Sequence, residues 1–87
     1  MMVKFSSKSW NDYINWQQQD KKILKRINQL IKDIQRNGAA DGIGKPEALK
    51  HNFSGWFSRR INVEHRLIYR VTEERAIEIA SCKYHYD

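Results

Sequence analysis

Glu47, Arg66 and His85 are the side chains in this sequence with which RNA can be cut without a metal. They offer a carboxylate to take a proton, a fixed cation for the phosphate and an imidazole to return a proton. They stand in three segments: Gly44-Lys45-Pro46-Glu47, the basic run Ser58-Arg59-Arg60 continued by His65-Arg66, and Tyr84-His85-Tyr86. Attack of a ribose 2′-hydroxyl on its own phosphate needs a base, donors for the pentacoordinate phosphorane and an acid for the departing 5′-oxygen, and these three residues can fill those roles in turn. Because the nucleophile belongs to the substrate, DNA cannot react this way, and the products are a 2′,3′-cyclic phosphate and a 5′-hydroxyl. Tyr86 can stack on or orient a base, or hydrogen-bond the phosphate. A free carboxyl titrates near pH ~4.3 and a free imidazole near ~6.5, so neighbours must tune both for the pair to work together.

Each residue also has a plainer reading. A loop glutamate such as Glu47 is ordinarily a solvated surface group, and a histidine near a chain end such as His85 is ordinarily frayed. Arg59, Arg60, Arg66 and Arg70 can decorate a wet sheet as readily as cradle a phosphate. Tyr84 is assigned to packing and Tyr86 to the site. Trp10, Trp16 and Trp56 read as core or dimer contacts, and His51, His65 and Cys82 as structural residues.

The 87 residues are enough for one domain, residues 1–87, with a small core; 40% hydrophobic and 30% charged content excludes a disordered chain. Sixteen Lys and Arg against ten Asp and Glu give a net charge of +6, which favours a polyanion or an acidic partner. The excess is uneven. Lys45, Lys50, Arg59, Arg60, Arg66 and Arg70 are opposed between them only by Glu47 and Glu64, so the basic segment lies beside the candidate chemistry. Cys82 is the 1 cysteine and has no disulfide partner in the chain. The start of the chain does not read as a signal peptide, and no apolar run approaches the roughly 20 residues of a membrane span. The expectation is therefore a cytoplasmic protein with no membrane contact. His51, His65 and His85 are far apart, so no metal and no cofactor are expected.

These residues need a scaffold, and the patterning supplies one. Val3 to Phe5 reads as a strand, and Ser6 or Ser7 can cap a helix carrying Trp10, Tyr13, Ile14 and Trp16. Asp20 can cap a second helix, whose Ile23, Leu24, Ile27, Leu30, Ile31 and Ile34 form one stripe at helical spacing. Asn37-Gly38 ends it, and a glycine-rich loop runs to Pro46, with Glu47 at its close. From Gly55 the period is two: Trp56 to Asn62, Arg66 to Thr72 and Ala76 to Tyr84 read as an antiparallel meander with short turns. Leu67, Tyr69 and Val71 share one face of the middle strand; Arg66, Ile68 and Arg70 share the other. The expected fold class is α+β, an N-terminal strand and two helices followed by a three-stranded antiparallel meander, with the helices packed on one face of the sheet.

The segments Ser9-Trp10-Asn11-Asp12-Tyr13, Asp20-Lys21-Lys22-Ile23, Gly44-Lys45-Pro46-Glu47-Ala48-Leu49-Lys50-His51, Ser58-Arg59-Arg60-Ile61, Glu64-His65-Arg66-Leu67-Ile68-Tyr69 and Cys82-Lys83-Tyr84-His85-Tyr86 resemble the YoeB-type toxins of the RelE superfamily over nearly the whole chain. The sequence departs from that pattern in the order of Trp56-Phe57 and in Asp87 after the last tyrosine. The resemblance implies a RelE-like fold, ribosome-dependent cleavage of A-site messenger RNA and a homodimer. It also implies a YefM-like antitoxin that wraps the toxin, with DNA contacted only through the antitoxin complex at its operator. It assigns Glu47, Arg66, His85 and Tyr86 to catalysis and Lys50 and Arg60 to the phosphate; Arg59 joins them as a candidate RNA-binding residue. Rival readings are a ParE-like toxin that inhibits gyrase, and a module that binds RNA or ribosomes without cutting.

Overall fold

The computed structural model describes residues 1–84. Strand β1 (Val3–Phe5) leads into helix α1 (Ser7–Gln19) and helix α2 (Lys21–Asn37), and four strands follow: β2 (Glu47–Ala48), β3 (Phe57–Arg60), β4 (Arg66–Val71) and β5 (Ile77–Ser81). A single 3₁₀ turn, His51–Phe53, lies between β2 and β3. The helices start where side-chain oxygens can take the free amides of a first turn: Ser6 accepts from the Ser9 N–H, and Asp20 accepts from those of Lys22 and Ile23. Gly38, at φ +87°, terminates α2 with its N–H on the Ile34 carbonyl, as its sequence position suggests.

The strands form one five-stranded sheet in the order β1-β5-β4-β3-β2. The meander β3-β4-β5 is antiparallel, β2 adds antiparallel to β3, and β1 runs parallel to β5. The strand-helix-helix-meander order agrees with the sequence pattern, and the sheet gains β2, where the pattern marks only the end of a loop. Two residues show no periodicity; Glu47–Ala48 becomes a strand because Ser58 and Phe57 pair with it. The meander strands are also shorter than the apolar runs that mark them. Their ends, at Asn62 and Thr72, are consumed by turns: Asn62 Oδ1 accepts the N–H groups of Glu64 and His65, and the Thr72 N–H donates to Ala76 O.

Both helices pack on one face of the sheet. Ile27, Leu30 and Ile34 from the α2 stripe are buried against Leu67, Tyr69, Ile77 and Ile79, with Trp16, Ile61 and Cys82 completing the core. Each full burial of this kind contributes about 1.5–3 kcal/mol, which makes the helix–sheet seam the rigid body from which the site is hung. No helix among the described residues is long and apolar enough to cross a membrane.

Candidate active site

The face of the sheet away from the helices carries the candidate chemistry, placed there by strand register. Glu47 pairs with Ser58, Ser58 with Ile68, and Arg60 with Arg66. Residues directly opposite point to the same face, as do residues two apart on one strand, so Glu47, Ser58, Ile68, Arg60 and Arg66 lie on one face of the sheet, with Ser58 and Ile68 buried and Glu47, Arg60 and Arg66 reaching solvent. Two strand spacings across and two residues along put the α-carbons of Glu47 and Arg66 roughly 12 Å apart. Side chains of their length can reach toward a common phosphate between them. Arg60 and Arg66 set two like charges side by side on neighbouring strands, an arrangement that costs stability unless an anion lies between them.

Arg66 is held in place from behind. Its Nη1 donates to the Asn62 carbonyl at 2.9 Å and to that of His65 at 3.2 Å, and its backbone N–H donates to Tyr84 O at 2.9 Å. That last bond brings the chain to the position before His85 directly beside the guanidinium-bearing strand. The approach is fixed further upstream. Asp12, buried on α1, accepts from the Cys82 N–H at 3.1 Å, and the Trp16 indole N–H donates to Cys82 O at 2.9 Å. Cys82 is buried, and its thiol is pushed up to about 12, first by burial and then by the nearby Asp12 charge. His85 and Tyr86, assigned to the site from sequence, lie outside the described residues, as does Asp87.

Glu47 and Lys50 are exposed on the arm made by β2 and the 3₁₀ turn. The arm is tied down by the β2–β3 pairing and by the Leu49 N–H on Trp56 O at 2.9 Å. Upstream, the loop that delivers Glu47 rests on Arg59. Arg59 was expected beside Arg60 and Lys50 as an RNA-binding residue; it is instead 0% exposed, with every guanidinium nitrogen engaged. Nε donates to the Tyr69 hydroxyl, Nη1 to Asp33 and to the Ile43 carbonyl, and Nη2 to the carbonyls of Gly38 and Asp41. Consecutive strand residues point to opposite faces, so Arg59 and Arg60 cannot both line the groove. Arg59 acts through the loop, stitching residues 38–43 to the sheet while the Arg60 N–H takes the carbonyl of Gly44 at 2.7 Å.

Two glycines make this packing possible. A Cβ on Gly42 (φ +120°) would stand 1.9 Å from Asp33 Oδ2, and one on Gly44 (φ +82°) 2.8 Å from Leu30 Cδ2. The hydrogen bond from Arg59 holds the Asp33 carboxyl below its ordinary range, while burial raises the Tyr69 phenol. Arg70, the last of the basic run, is engaged elsewhere, donating to Glu78 and lying 4.6 Å over the Trp56 ring.

Sequence reasoning did not single out Asp33, a polar residue on the edge of an apolar helical stripe, and it read Gly42 only as a glycine that marks the loop. Among the described residues no three His, Cys, Asp or Glu side chains stand close enough to hold a metal ion.

Two helices on one face of a five-stranded mixed sheet, with a carboxylate and paired arginines on the other face, give the architecture of the RelE-fold toxins. The family model describing a YoeB-like toxin of bacterial type II toxin–antitoxin systems matches residues 5–86. Toxin YoeB of Escherichia coli K12 is 55% identical over 86 residues, covering 99% of this chain and 100% of that one. Among solved structures, a YoeB–YefM complex from Staphylococcus aureus contains a chain that aligns with a TM-score of 0.92 at 56% identity, over 99% of this chain and 98% of that one. A YoeB dimer from the same organism gives a TM-score of 0.92 and 56% identity over the same shares. The chain belongs to the YoeB family, the toxins of bacterial type II toxin–antitoxin systems.

Proposed function

We propose that this toxin is an endoribonuclease that cuts messenger RNA in the ribosomal A site and so stops translation. The observation that carries the reading is the shared face of Glu47, Arg60 and Arg66, with the backbone before His85 hydrogen-bonded to Arg66. Glu47 takes the 2′-hydroxyl proton, and the freed oxygen attacks the adjacent phosphorus. Arg66 donates to the charge that grows on the phosphorane oxygens. His85 protonates the 5′-oxygen as its bond to phosphorus breaks, leaving a 2′,3′-cyclic phosphate and a 5′-hydroxyl. Tyr86 orients a base or the phosphate, and Lys50 and Arg60 hold the RNA backbone. No metal or cofactor takes part.

The same reading supplies the partners. A domain of net charge +6 that is harmful when free is matched by an acidic YefM-like antitoxin segment that orders over the basic face. The S. aureus YoeB structures with YefM and as a dimer support an antitoxin complex and a homodimer here. Contact with DNA comes through the antitoxin at its operator, and the site of action is the cytoplasm.

Mapping messenger 5′ ends after brief induction, with and without His85→Ala, tests the proposal. Cuts within reading frames that vanish in the variant support it. Intact messages with accumulating DNA breaks replace it with gyrase inhibition, and arrest with neither replaces it with a block by binding alone.

A further inference from the structure

The dipeptide His65-Arg66 grips both backbone polar groups of Tyr84. His65 Nδ1 accepts the Tyr84 N–H at 2.8 Å, and the Arg66 N–H donates to the Tyr84 carbonyl at 2.9 Å. One strand end therefore presents Arg66 to the sheet face away from the helices and turns His65 inward beneath Tyr84. His65 is 6% exposed, wedged edge-on against Trp16 with ring centroids 4.8 Å apart and tilted against the Tyr84 ring at 5.4 Å. Its other nitrogen, Nε2, faces Glu64 Oε1 at 3.6 Å. With Nδ1 an acceptor, the proton of the neutral ring belongs on Nε2, the side of that carboxylate.

The gripped residue is unusual. Tyr84 has φ +63°, a left-handed conformation that L side chains other than glycine rarely hold unless their surroundings impose it. Tyr84 is itself 56% exposed, so burial of its side chain does not impose that backbone. The two hydrogen bonds from His65 and Arg66 hold the backbone on either side of that conformation, and the next residue in the chain is His85.

We propose that His65 is a positioning residue for catalysis: its Nδ1 locks the backbone of Tyr84, the residue that precedes the proposed acid His85 in the sequence. The inference rests on the proposed role of His85 as the acid. It assigns a function to a histidine that touches no substrate.

The test is single-turnover cleavage of messenger RNA on programmed ribosomes, with the maximal rate and the half-saturating toxin concentration separated, for His65→Asn, His65→Gln, His65→Leu and His85→Ala. An asparagine oxygen can occupy the place of Nδ1, a glutamine oxygen falls at the place of Nε2, and leucine offers no acceptor. His65→Leu and His65→Gln should lower the maximal rate on the order of 10²-fold, the penalty of a misplacement near 1 Å, with half-saturation changed less than about threefold. His65→Asn should restore most of that rate, although all three variants lose the ring packing. Equal rates for Asn and Gln, or rates that follow melting temperature alone, would overturn the inference. A ¹⁵N-histidine spectrum of the unmutated toxin gives a check independent of folding: the tautomer with its proton on Nδ1 also overturns it. If His85→Ala cleaves at the full rate, the nuclease reading fails first; if His85→Ala is inactive and His65→Leu is unimpaired, only the positioning role fails.

Discussion

Replacing Asp33 by alanine should cost about 3 kcal/mol of stability, because it strands the buried guanidinium of Arg59. Arg59 is 0% exposed and the Asp33 side chain 15%, so solvent screens the pair little. Removing one partner of such a pair costs roughly 3–5 kcal/mol; the lower end applies because three backbone carbonyls and the Tyr69 hydroxyl still accept from Arg59. Alanine also removes the acceptor for the Ile43 N–H, at 3.0 Å, and for the Asn37 amide, at 2.9 Å. For a domain of this size each kcal/mol shifts the melting temperature by about 4–8 °C, giving a fall of roughly 12–24 °C. Urea unfolding followed through tryptophan fluorescence, in the His85→Ala background, measures it directly. The pH dependence has a definite sign. The Asp33 carboxyl is held below its ordinary value of 3.8, chiefly by the hydrogen bond from Arg59, so its contribution is present above that pH and is lost as pH falls through the lower folded value. The gap between wild type and Asp33→Asn should therefore narrow below about pH 4. A loss under about 1 kcal/mol for Asp33→Ala, or a gap independent of pH, would refute the role given to Arg59 as the anchor of the loop that delivers Glu47.

Gly42→Ala should destabilise by 2 kcal/mol or more in the same assay, roughly the sum of backbone strain at φ +120° and the clash with Asp33; near-neutrality would contradict the loop packing. Cys82, with its thiol pushed up to about 12, should resist alkylation in the native state, and its share of stability should be lost as pH rises from the ordinary 9.0 toward that value; labelling at the rate of a free thiol at pH 8 would contradict its burial. Lys50→Ala should weaken ribosome binding and flatten its salt dependence, whereas Arg66→Ala should slow cleavage strongly with a modest loss of affinity. Identical profiles for the two variants would merge the binding and catalytic roles given to them.

Much of this arrangement was legible in the residue order. The α2 stripe from Ile23 to Ile34, the caps at Ser6 and Asp20 and the stop at Gly38 are local signals, and local physics decides them. The alternation in β4 correctly put Leu67 and Tyr69 toward the helices and Arg66 and Arg70 on the other face. Strand β2 was not legible because two residues have no period of their own, and the parallel pairing of β1 with β5 joins segments more than 70 positions apart. Arg59 was misplaced by reading charge before geometry: alternation with Arg60 already required one of the pair to point inward. Its burial depends on Asp33, 26 positions away, and on carbonyls of a loop whose path no spacing rule gives. His65 read correctly as structural, but its hold on Tyr84 appears only once the strand end and the C-terminal turn are brought together.

Single-turnover cleavage on ribosomes programmed with a defined message, measured beside ribosome binding for Glu47→Ala and His85→Ala, tests proton transfer by this pair most directly. The expected result is a rate lowered by about 10² to 10⁴ in each variant, affinity nearly unchanged, and 2′,3′-cyclic phosphate ends in the residual product. Full cleavage by both variants, or a 3′-hydroxyl at the cut, would contradict it.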